Sequence, residues 1–314
     1  MEDHFNHRFF WNLLYFRTTY NMPIPFNIPF LTGKNISLIL FFSLLSFSSC
    51  ETRDEWENDH YLYPEMDMWF NYLCSPELGG RYSGSDGIKK AENYICDIIG
   101  RSDSLVCDVF PTPKCEMTNI IFHIEGKNDS LIVIGAHYDA FGYNSKFPLP
   151  GADDNLSGVA VLLKAIKTIQ LNTIRPYYSI EFCFFDGEEI GRYGSNHYVS
   201  VCNRGVKLYI NIDTCGRFDC GAGIYYDNTN PYLKDEFESF ILNVKDVKMK
   251  LAEYNPIGYT TDCEPFEKNQ IPFVSIMNDA PSSYLHTYED NISHISFEKL
   301  DNLAKGINLF LRTM

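Results

Sequence analysis

A run of six residues without a polar side chain, Leu131–Ala136, sets the strongest limit on the fold. Such a run is typical of a central strand that is buried on both faces of a parallel sheet. Further strands are predicted at Tyr178–Phe185, Lys207–Ile212 and Phe273–Met277, and segments with helical spacing lie between them. Strands that alternate with helices predict a single α/β domain with a mostly parallel, mixed central sheet and helices on both faces.

Residues 1–50 differ from the rest of the chain and are predicted to be a signal or leader segment. Residues 36–49 carry no charged side chain, and Lys34 precedes them. This run is too short to cross a membrane comfortably as a helix, but it matches the apolar core of an export signal. It ends at Cys50, in a sequence similar to a bacterial lipoprotein cleavage box. We therefore predict export to the bacterial cell envelope, in the periplasm or at the outer membrane, with Cys50 as a lipid anchor.

The charge of the remaining chain limits its partners. Residues 51–59 are polar and acidic and are predicted to be a tether, followed by one folded domain at 60–314. The chain has 41 acidic and 26 basic residues, for a formal net charge of −15. Such a surface repels phosphate backbones, so nucleic acid is not a predicted partner. Contact with a membrane is predicted only through the lipid at Cys50, and the oligomeric state stays open.

Ten cysteines are present, and nine remain once Cys50 is set aside. None of them forms a Cys-x-x-Cys pair, so a zinc ribbon is not predicted. Cys215 and Cys220 are close enough in sequence to form a disulfide, but spacing alone does not determine which cysteines pair.

Polar motifs follow the predicted parallel strands at their carboxyl ends, where ligands bind in folds of this class. In chain order the motifs are AHYD at 136–139, GADDN at 151–155, FFDGEE at 184–189, NID at 211–213 and LHT at 285–287. The carboxyl ends of parallel strands share one edge of a sheet, so two histidines and a set of carboxylates converge there. Residues 140–150 and 216–230 are predicted to form the rim of this site.

These residue types predict a metal centre. Imidazole and carboxylate ligands without thiolates suit zinc or manganese, and two such ions can share a bridging carboxylate. His137 and Asp139 lie on the same side of an extended segment, so Asp139 can bind the ring nitrogen that faces away from a metal. The adjacent Glu188 and Glu189 point in different directions from a turn. One of them can therefore bind metal while the other acts as a general base.

The longer motifs AHYD, GADDNLSG, FFDGEEIGRYGS, NIDTCG and LHTYED resemble those of the co-catalytic zinc exopeptidase family, peptidase clan MH. That family includes bacterial zinc aminopeptidases, glutamate carboxypeptidases and the related glutaminyl cyclases. The resemblance covers roughly residues 76–312. It implies a fold of the zinc-aminopeptidase type, and for residues 60–314 a catalytic domain that acts on peptide substrates.

Carried over position by position, the resemblance implies a role for each strand-end residue. Asp154 would bridge two zinc ions, Asp153 would not bind metal, and the Asp154–Asn155 peptide can be cis. Glu188 resembles the general base, and Asp139 resembles the residue that orients the first histidine ligand. The implied reaction removes N-terminal residues through a hydroxide shared by the two zinc ions. The implied metal ligands are His137, Asp154, Glu189, Asp213 and His286.

Two other functions stay open at this point. A glutaminyl-peptide cyclotransferase with a single zinc shares the FFDGEE and HTxxDN patterns. However, animal cyclases have an acid where Thr261 stands, a histidine where Ser275 stands and a tryptophan where Leu285 stands. A non-catalytic binding protein on the same scaffold would have lost a ligand or the base, and none is missing here. Hydrolysis of the aminopeptidase type is therefore the favoured prediction.

Overall fold

The structure, a computed structural model, describes residues 59–144, 146–171, 175–255 and 261–314. The predicted leader, the predicted lipid anchor at Cys50 and most of the predicted tether lie outside these residues. Within the described ranges, no helix is both long and apolar enough to cross a membrane.

Helices and strands alternate along the described chain. The helices are α1 (Pro64–Leu73), α2 (Asp86–Ile99), α3 (Ser157–Gln170), α4 (Tyr193–Val201), α5 (Tyr232–Asn243), α6 (Cys263–Lys268) and α7 (Phe297–Thr313). The strands are β1 (Leu105–Pro111), β2 (Glu116–Ile124), β3 (Asn128–His137), β4 (Tyr178–Phe185), β5 (Val206–Ile212), β6 (Ala222–Tyr226), β7 (Met249–Glu253) and β8 (Phe273–Asn278). Short 3₁₀ turns lie at His60–Leu62, Pro76–Arg81 and Ile292–His294.

The strands form one mixed sheet in the order β1-β2-β4-β3-β5-β8-β6-β7. Its centre is parallel, because β3 pairs in parallel with β4 and β5, and β5 pairs in parallel with β8. The pairs β1–β2, β2–β4 and β6–β8 are antiparallel. The four central strands therefore end at the same edge, as the sequence predicted.

Strand β3 is apolar throughout its centre because both faces of the sheet are covered. Ile132 and Ile134 belong to the larger core, which packs against α1, α2, α3, α5 and α7. Leu131 and Val133 belong to a smaller core on the other face, with Tyr198 of α4. This alternation confirms the predicted α/β architecture with helices on both faces of the sheet.

The predicted strands and the longer helices are confirmed to within a few residues, whereas β6, β7 and α6 were not predicted. Residues 216–230, predicted as part of the rim of the site, are not one continuous loop, because β6 occupies Ala222–Tyr226. Its sequence, AGIYY, is short and begins beside Gly221, and only pairing with β7 and β8 defines it as a strand.

Candidate active site

The predicted metal ligands meet at the carboxyl edge of the sheet. His137 ends β3, Asp213 follows β5, and Glu189 lies in the turn after β4. His286 lies in the segment between β8 and α7. We refer to five side chains as the strand-end cluster: His137, Asp154, Glu189, Asp213 and His286.

Asp154 is the centre of this cluster. Its Oδ1 lies 3.2 Å from Nε2 of His137, and its Oδ2 lies 3.0 Å from Nε2 of His286. Each imidazole also faces a second carboxylate. Oδ1 of Asp213 is 3.6 Å from Nε2 of His137, and Oε2 of Glu189 is 3.5 Å from Nε2 of His286. One carboxylate is thus shared between two half-sites, each with its own histidine and its own second acid.

Asp139 supports the site from behind. Nδ1 of His137 lies 3.2 Å from the backbone carbonyl oxygen of Asp139 and 3.5 Å from its carboxylate Oδ1. The same carboxylate accepts hydrogen bonds from the backbone N–H groups of Glu188 and Glu189, at 3.1 and 3.3 Å. Asp139 therefore connects the end of β3 to the turn that carries both glutamates. The role of Asp139 as the residue that orients His137 stays a prediction.

A tight turn at Ala152–Leu156 presents Asp154 to the cluster. The Asp154–Asn155 peptide is cis, which confirms the expectation drawn from the resemblance. Asn155 fixes the turn to β5, because its Nδ2 donates to the carbonyl of Ile212 and its Oδ1 accepts from the N–H of Thr214. The carboxylate of Asp290 accepts from the backbone N–H groups of Asp153 and Asp154, at 2.7 and 3.1 Å.

The carboxylate of Asp153 is held by hydrogen bonds from residues outside the cluster. Its Oδ1 accepts from the N–H of Gly216 at 2.8 Å, and its Oδ2 accepts from Nδ2 of Asn278 at 2.7 Å. Both carboxylate oxygens of Asp153 thus have protein partners. Burial raises the pKa of Asp153 to about 6.

The charged side chains of the cluster shift one another's pKa values. Burial opposes the charged form of His137, but the carboxylates of Asp139, Asp154 and Asp213 outweigh it and raise the pKa of His137 well above its usual range. Burial also opposes ionisation of Asp154. The two neighbouring imidazoles outweigh this and hold the pKa of Asp154 below its usual range.

The pKa values of the two glutamates are raised, in contrast to that of Asp154. Burial raises the pKa of Glu188 well above its usual range, and negative charges, including that of Asp213, act in the same direction. Burial and the adjacent charge of Asp154 raise the pKa of Glu189 to about 11. Carboxylates crowded into a buried site repel one another, and a divalent cation among them would offset this repulsion.

The donor set fits zinc. Ring nitrogen of His137 and carboxylate oxygens of Asp154 and Glu189 all lie within 4.8 Å of one another. Oδ1 of Asp213 is buried and has no hydrogen-bond partner, which is costly for a carboxylate oxygen unless it binds a cation. Nitrogen and oxygen donors without sulfur suit zinc or manganese.

The side chains of the cluster line a cavity of about 600 Å³. Glu188 lines this cavity beside the cluster, so its carboxyl group can reach a bound substrate. The aromatic rings of Phe141 and Tyr225 and the side chains of Met277 and Leu285 also contribute to the wall. The cavity therefore combines the charged cluster with apolar side chains, and Arg192 and Asp279 add further charged groups to its lining.

Several buried residues of the site were not predicted from the sequence. Ser83 donates a hydrogen bond to Asp186 at 2.7 Å and lies 3.3 Å from Asp139. Ser195 donates to Oδ1 of Asp262, and Oδ2 of Asp262 is buried without a partner. Burial raises the pKa values of Asp186 and Asp262 to about 7. Asp186 lies within the FFDGEE motif, which could have indicated it, whereas nothing in the sequence marks Asp262.

The chain is similar in sequence to known peptidases. Residues 119–311 match the family described as peptidase family M28. A protein of Arthroderma otae described as a "Probable leucine aminopeptidase" is 32% identical over an alignment of 221 residues, and the match covers 64% of this chain and 58% of that protein. The chain thus spans little more than half the length of this curated relative.

Solved structures share the fold at lower identity. A glutaminyl cyclase of Tannerella forsythia matches with a TM-score of 0.63 and 20% identity, over 79% of this chain and 98% of that one. A Zn-dependent exopeptidase of Parabacteroides distasonis matches with the same TM-score, identity and coverage. At this identity the likeness concerns the fold, and proteins described as a peptidase and as a cyclase share it equally.

Proposed function

The chain belongs to peptidase family M28, and on this basis we propose that it is a zinc-dependent exopeptidase of the aminopeptidase type. The observation that carries the proposal is the position of Asp154 between His137 and His286, with a second acid beside each imidazole. This arrangement offers two half-sites that share one carboxylate. A relative described as a leucine aminopeptidase supports the same activity.

Two zinc ions would be held by the strand-end cluster. His137 and Asp213 would hold one ion and Glu189 and His286 the other, with Asp154 common to both. When bound, zinc supplies Lewis-acid chemistry, which polarises a carbonyl group and makes a water molecule more acidic.

Glu188 performs the proton transfers in this proposal. Its carboxylate lines the cavity, accepts a proton from the attacking water and delivers that proton to the nitrogen of the leaving amine. The hydrogen bond from its backbone N–H to Asp139 fixes the start of the turn that carries it. Asp139 also holds the His137 ring, so one carboxylate orients both the base and a metal ligand.

The cavity walls favour an apolar N-terminal side chain. Phe141, Tyr225, Met277 and Leu285 line the sides of the cavity. Burial of an apolar side chain against such walls is favourable by about 25 cal/mol per Å². We therefore expect peptides that begin with Leu, Met or Phe to be cleaved faster than those that begin with Asp or Gly.

Cyclisation of N-terminal glutamine is the second candidate, because solved cyclases share the fold. The two positions at which animal cyclases carry an acid and a histidine hold hydroxyl groups here. Ser275 is buried and accepts a hydrogen bond from Asn211, and the hydroxyl of Thr261 lies 3.1 Å from that of Tyr254. Neither hydroxyl can replace a carboxylate or an imidazole in proton transfer, which favours hydrolysis.

One experiment separates these two functions. The purified protein is incubated with zinc and two peptides, one beginning with Gln and one with Leu, and the products are followed by mass spectrometry. Release of free amino acid supports the aminopeptidase. Loss of ammonia from an otherwise intact Gln peptide would replace it with the cyclase. Absence of both products, in a protein with zinc bound, would contradict both functions.

We further propose that residues 1–50 direct export and that Cys50 carries the lipid anchor. The support is the uncharged run at 36–49 that ends in a cleavage-box sequence. Intact mass of the membrane-extracted protein should show a lipid-modified N-terminus at Cys50. A mass that still includes residues 1–49 would contradict this proposal.

A further inference from the structure

Two cysteine sulfurs are in contact outside the active site. Sγ of Cys96 on α2 lies 3.5 Å from Sγ of Cys107 on β1. The nine described cysteines are free thiols, and in the described ranges this is the pair whose sulfurs lie within hydrogen-bonding distance. Cys96 is buried, whereas Cys107 is exposed to solvent.

The fold holds this pair in place. Helix α2 ends at Ile99, Gly100 follows it in a left-handed conformation, and β1 begins at Leu105, so the two elements are joined by a short connection. Leu105 and Cys107 lie on the same face of β1, because alternate residues of a strand share a face. Leu105 packs against the larger core, to which Cys96 belongs. Cys107 therefore faces α2, and the two sulfurs, 3.5 Å apart, must approach by about 1.5 Å to reach the length of an S–S bond.

We propose that Cys96 and Cys107 form a redox-active pair, which closes to a disulfide in the presence of a small-molecule disulfide oxidant. The thiolate of Cys107 attacks the oxidant, and one thiolate leaves. Cys96 then loses its proton and attacks the sulfur of Cys107, which releases the second thiol of the oxidant. Two protein thiols are oxidised, and one external disulfide is reduced to two thiols.

The order of the two steps follows from exposure. Thiol exchange requires a thiolate that can reach the oxidant. Burial raises the pKa of Cys96 to about 12, and Cys107 beside it adds to this effect. Cys107 is exposed and meets the oxidant first. Cys96 acts second, against a sulfur that is already adjacent, where proximity compensates for its weak ionisation.

The disulfide would attach an edge strand to the body of the domain. β1 is the first strand of the sheet and pairs with β2 along one side. A bond from β1 to α2 closes a short loop, which restricts the unfolded chain. For a domain of this size we expect the midpoint of thermal unfolding to rise by about 5–10 °C on oxidation. Neither cysteine lines the active-site cavity, so this effect is separate from catalysis.

The test uses the full chain, treated with oxidised glutathione or with a reductant. The protein is quenched in acid, its free thiols are alkylated, and its peptides are mapped without reduction. We expect a linked peptide that contains Cys96 and Cys107, no alkylation of either residue, and the rise in midpoint given above. Cys107→Ser should abolish both the link and the rise. Cys115→Ser, at another partly exposed cysteine, should retain them.

Three results would overturn the proposal. Glutathione that stays on Cys107 while Cys96 is still alkylated would show that the second step does not occur. A peptide in which Cys96 or Cys107 is linked to a different cysteine would show that the contact between their sulfurs does not determine which disulfide forms. If oxidised glutathione raises the midpoint of thermal unfolding equally in the wild type and in Cys107→Ser, the stabilisation comes from another thiol. Cys96→Ala provides a second variant if Cys107→Ser does not fold.

Discussion

The two carboxylate oxygens of Asp154 face different imidazoles, Oδ1 that of His137 and Oδ2 that of His286. A single side chain therefore connects segments of the chain that are more than a hundred residues apart in sequence. The backbone of Asp154 is held from outside the cluster by Asp290. The proposed function depends on single carboxylate groups, and substitutions at Glu188 and Asp290 test two of them.

Glu188→Gln should leave zinc binding intact and lower turnover by at least about 100-fold, because the amide has the same shape but cannot accept the proton. Zinc content measured by mass spectrometry and peptide turnover measured side by side provide the test. Glu77→Gln, on an exposed turn, is the matched control and should change neither quantity. Unchanged turnover in Glu188→Gln would remove this residue as the base.

Asp290→Asn should weaken zinc binding by about 10–100-fold, since residues that hold the metal ligands from outside affect affinity on this scale. Asn has one acceptor oxygen in place of two, so it cannot accept from the N–H groups of both Asp153 and Asp154 as Asp290 does. Competition with a chelator measures the affinity. The neighbouring Glu289→Gln is the control, because its side chain is exposed. Equal zinc affinity in both variants would refute the positioning role.

At the scale of elements, one buried arginine holds several loops near the carboxyl edge of the sheet. Arg81, at the end of the turn Pro76–Arg81, is almost fully buried. Its guanidinium donates to four backbone carbonyl oxygens, those of Leu73, Tyr138, Pro150 and Gly151. It thus joins the end of α1, the segment after β3 and the turn that precedes Asp154.

Arg81→Met should lower the free energy of unfolding by at least about 3 kcal/mol, because it leaves several buried carbonyl groups without a donor. Urea unfolding followed by circular dichroism measures this loss. Arg101→Met removes an exposed arginine and should cost less than about 0.5 kcal/mol. Similar losses in the two variants would contradict the importance of the carbonyl contacts.

The whole molecule carries a formal net charge of −15, and part of that charge is concentrated in the cavity. Glu188, Glu189, Asp154 and Asp213 all line the cavity. Burial raises the pKa values of both glutamates, so the site without cations is electrostatically unfavourable. A cation that binds only the folded state stabilises it by mass action.

Zinc should therefore raise the midpoint of thermal unfolding by about 5–10 °C at a concentration 100 times the dissociation constant. Magnesium at the same concentration should have a much smaller effect, because it prefers oxygen ligands and the site contains two imidazoles. Differential scanning fluorimetry with zinc, magnesium or a chelator measures these shifts. Identical midpoints in all three conditions would contradict a zinc site.

The class of the fold and the convergence of the polar motifs at one sheet edge could be predicted from the amino-acid sequence. The apolar run at 131–136 predicts a central strand with both faces buried, and the polar motifs follow the predicted strands directly. The carboxyl ends of parallel strands share one edge of a sheet, so the convergence of the motifs that hold His137, Asp213 and Glu189 follows from topology. The choice of Glu189 over Glu188 as a metal ligand came from the resemblance to the exopeptidase family.

The contacts between segments that are distant in sequence could not be predicted in this way. Asp290 accepts from the N–H of Asp153, which lies 137 residues earlier in the chain. Cys96 meets Cys107 because a helix and an edge strand pack together. β6 is a strand because it pairs with β7 and β8, and the sequence of β6 alone does not predict this pairing. Such contacts depend on packing between elements, and no local pattern of side chains encodes them.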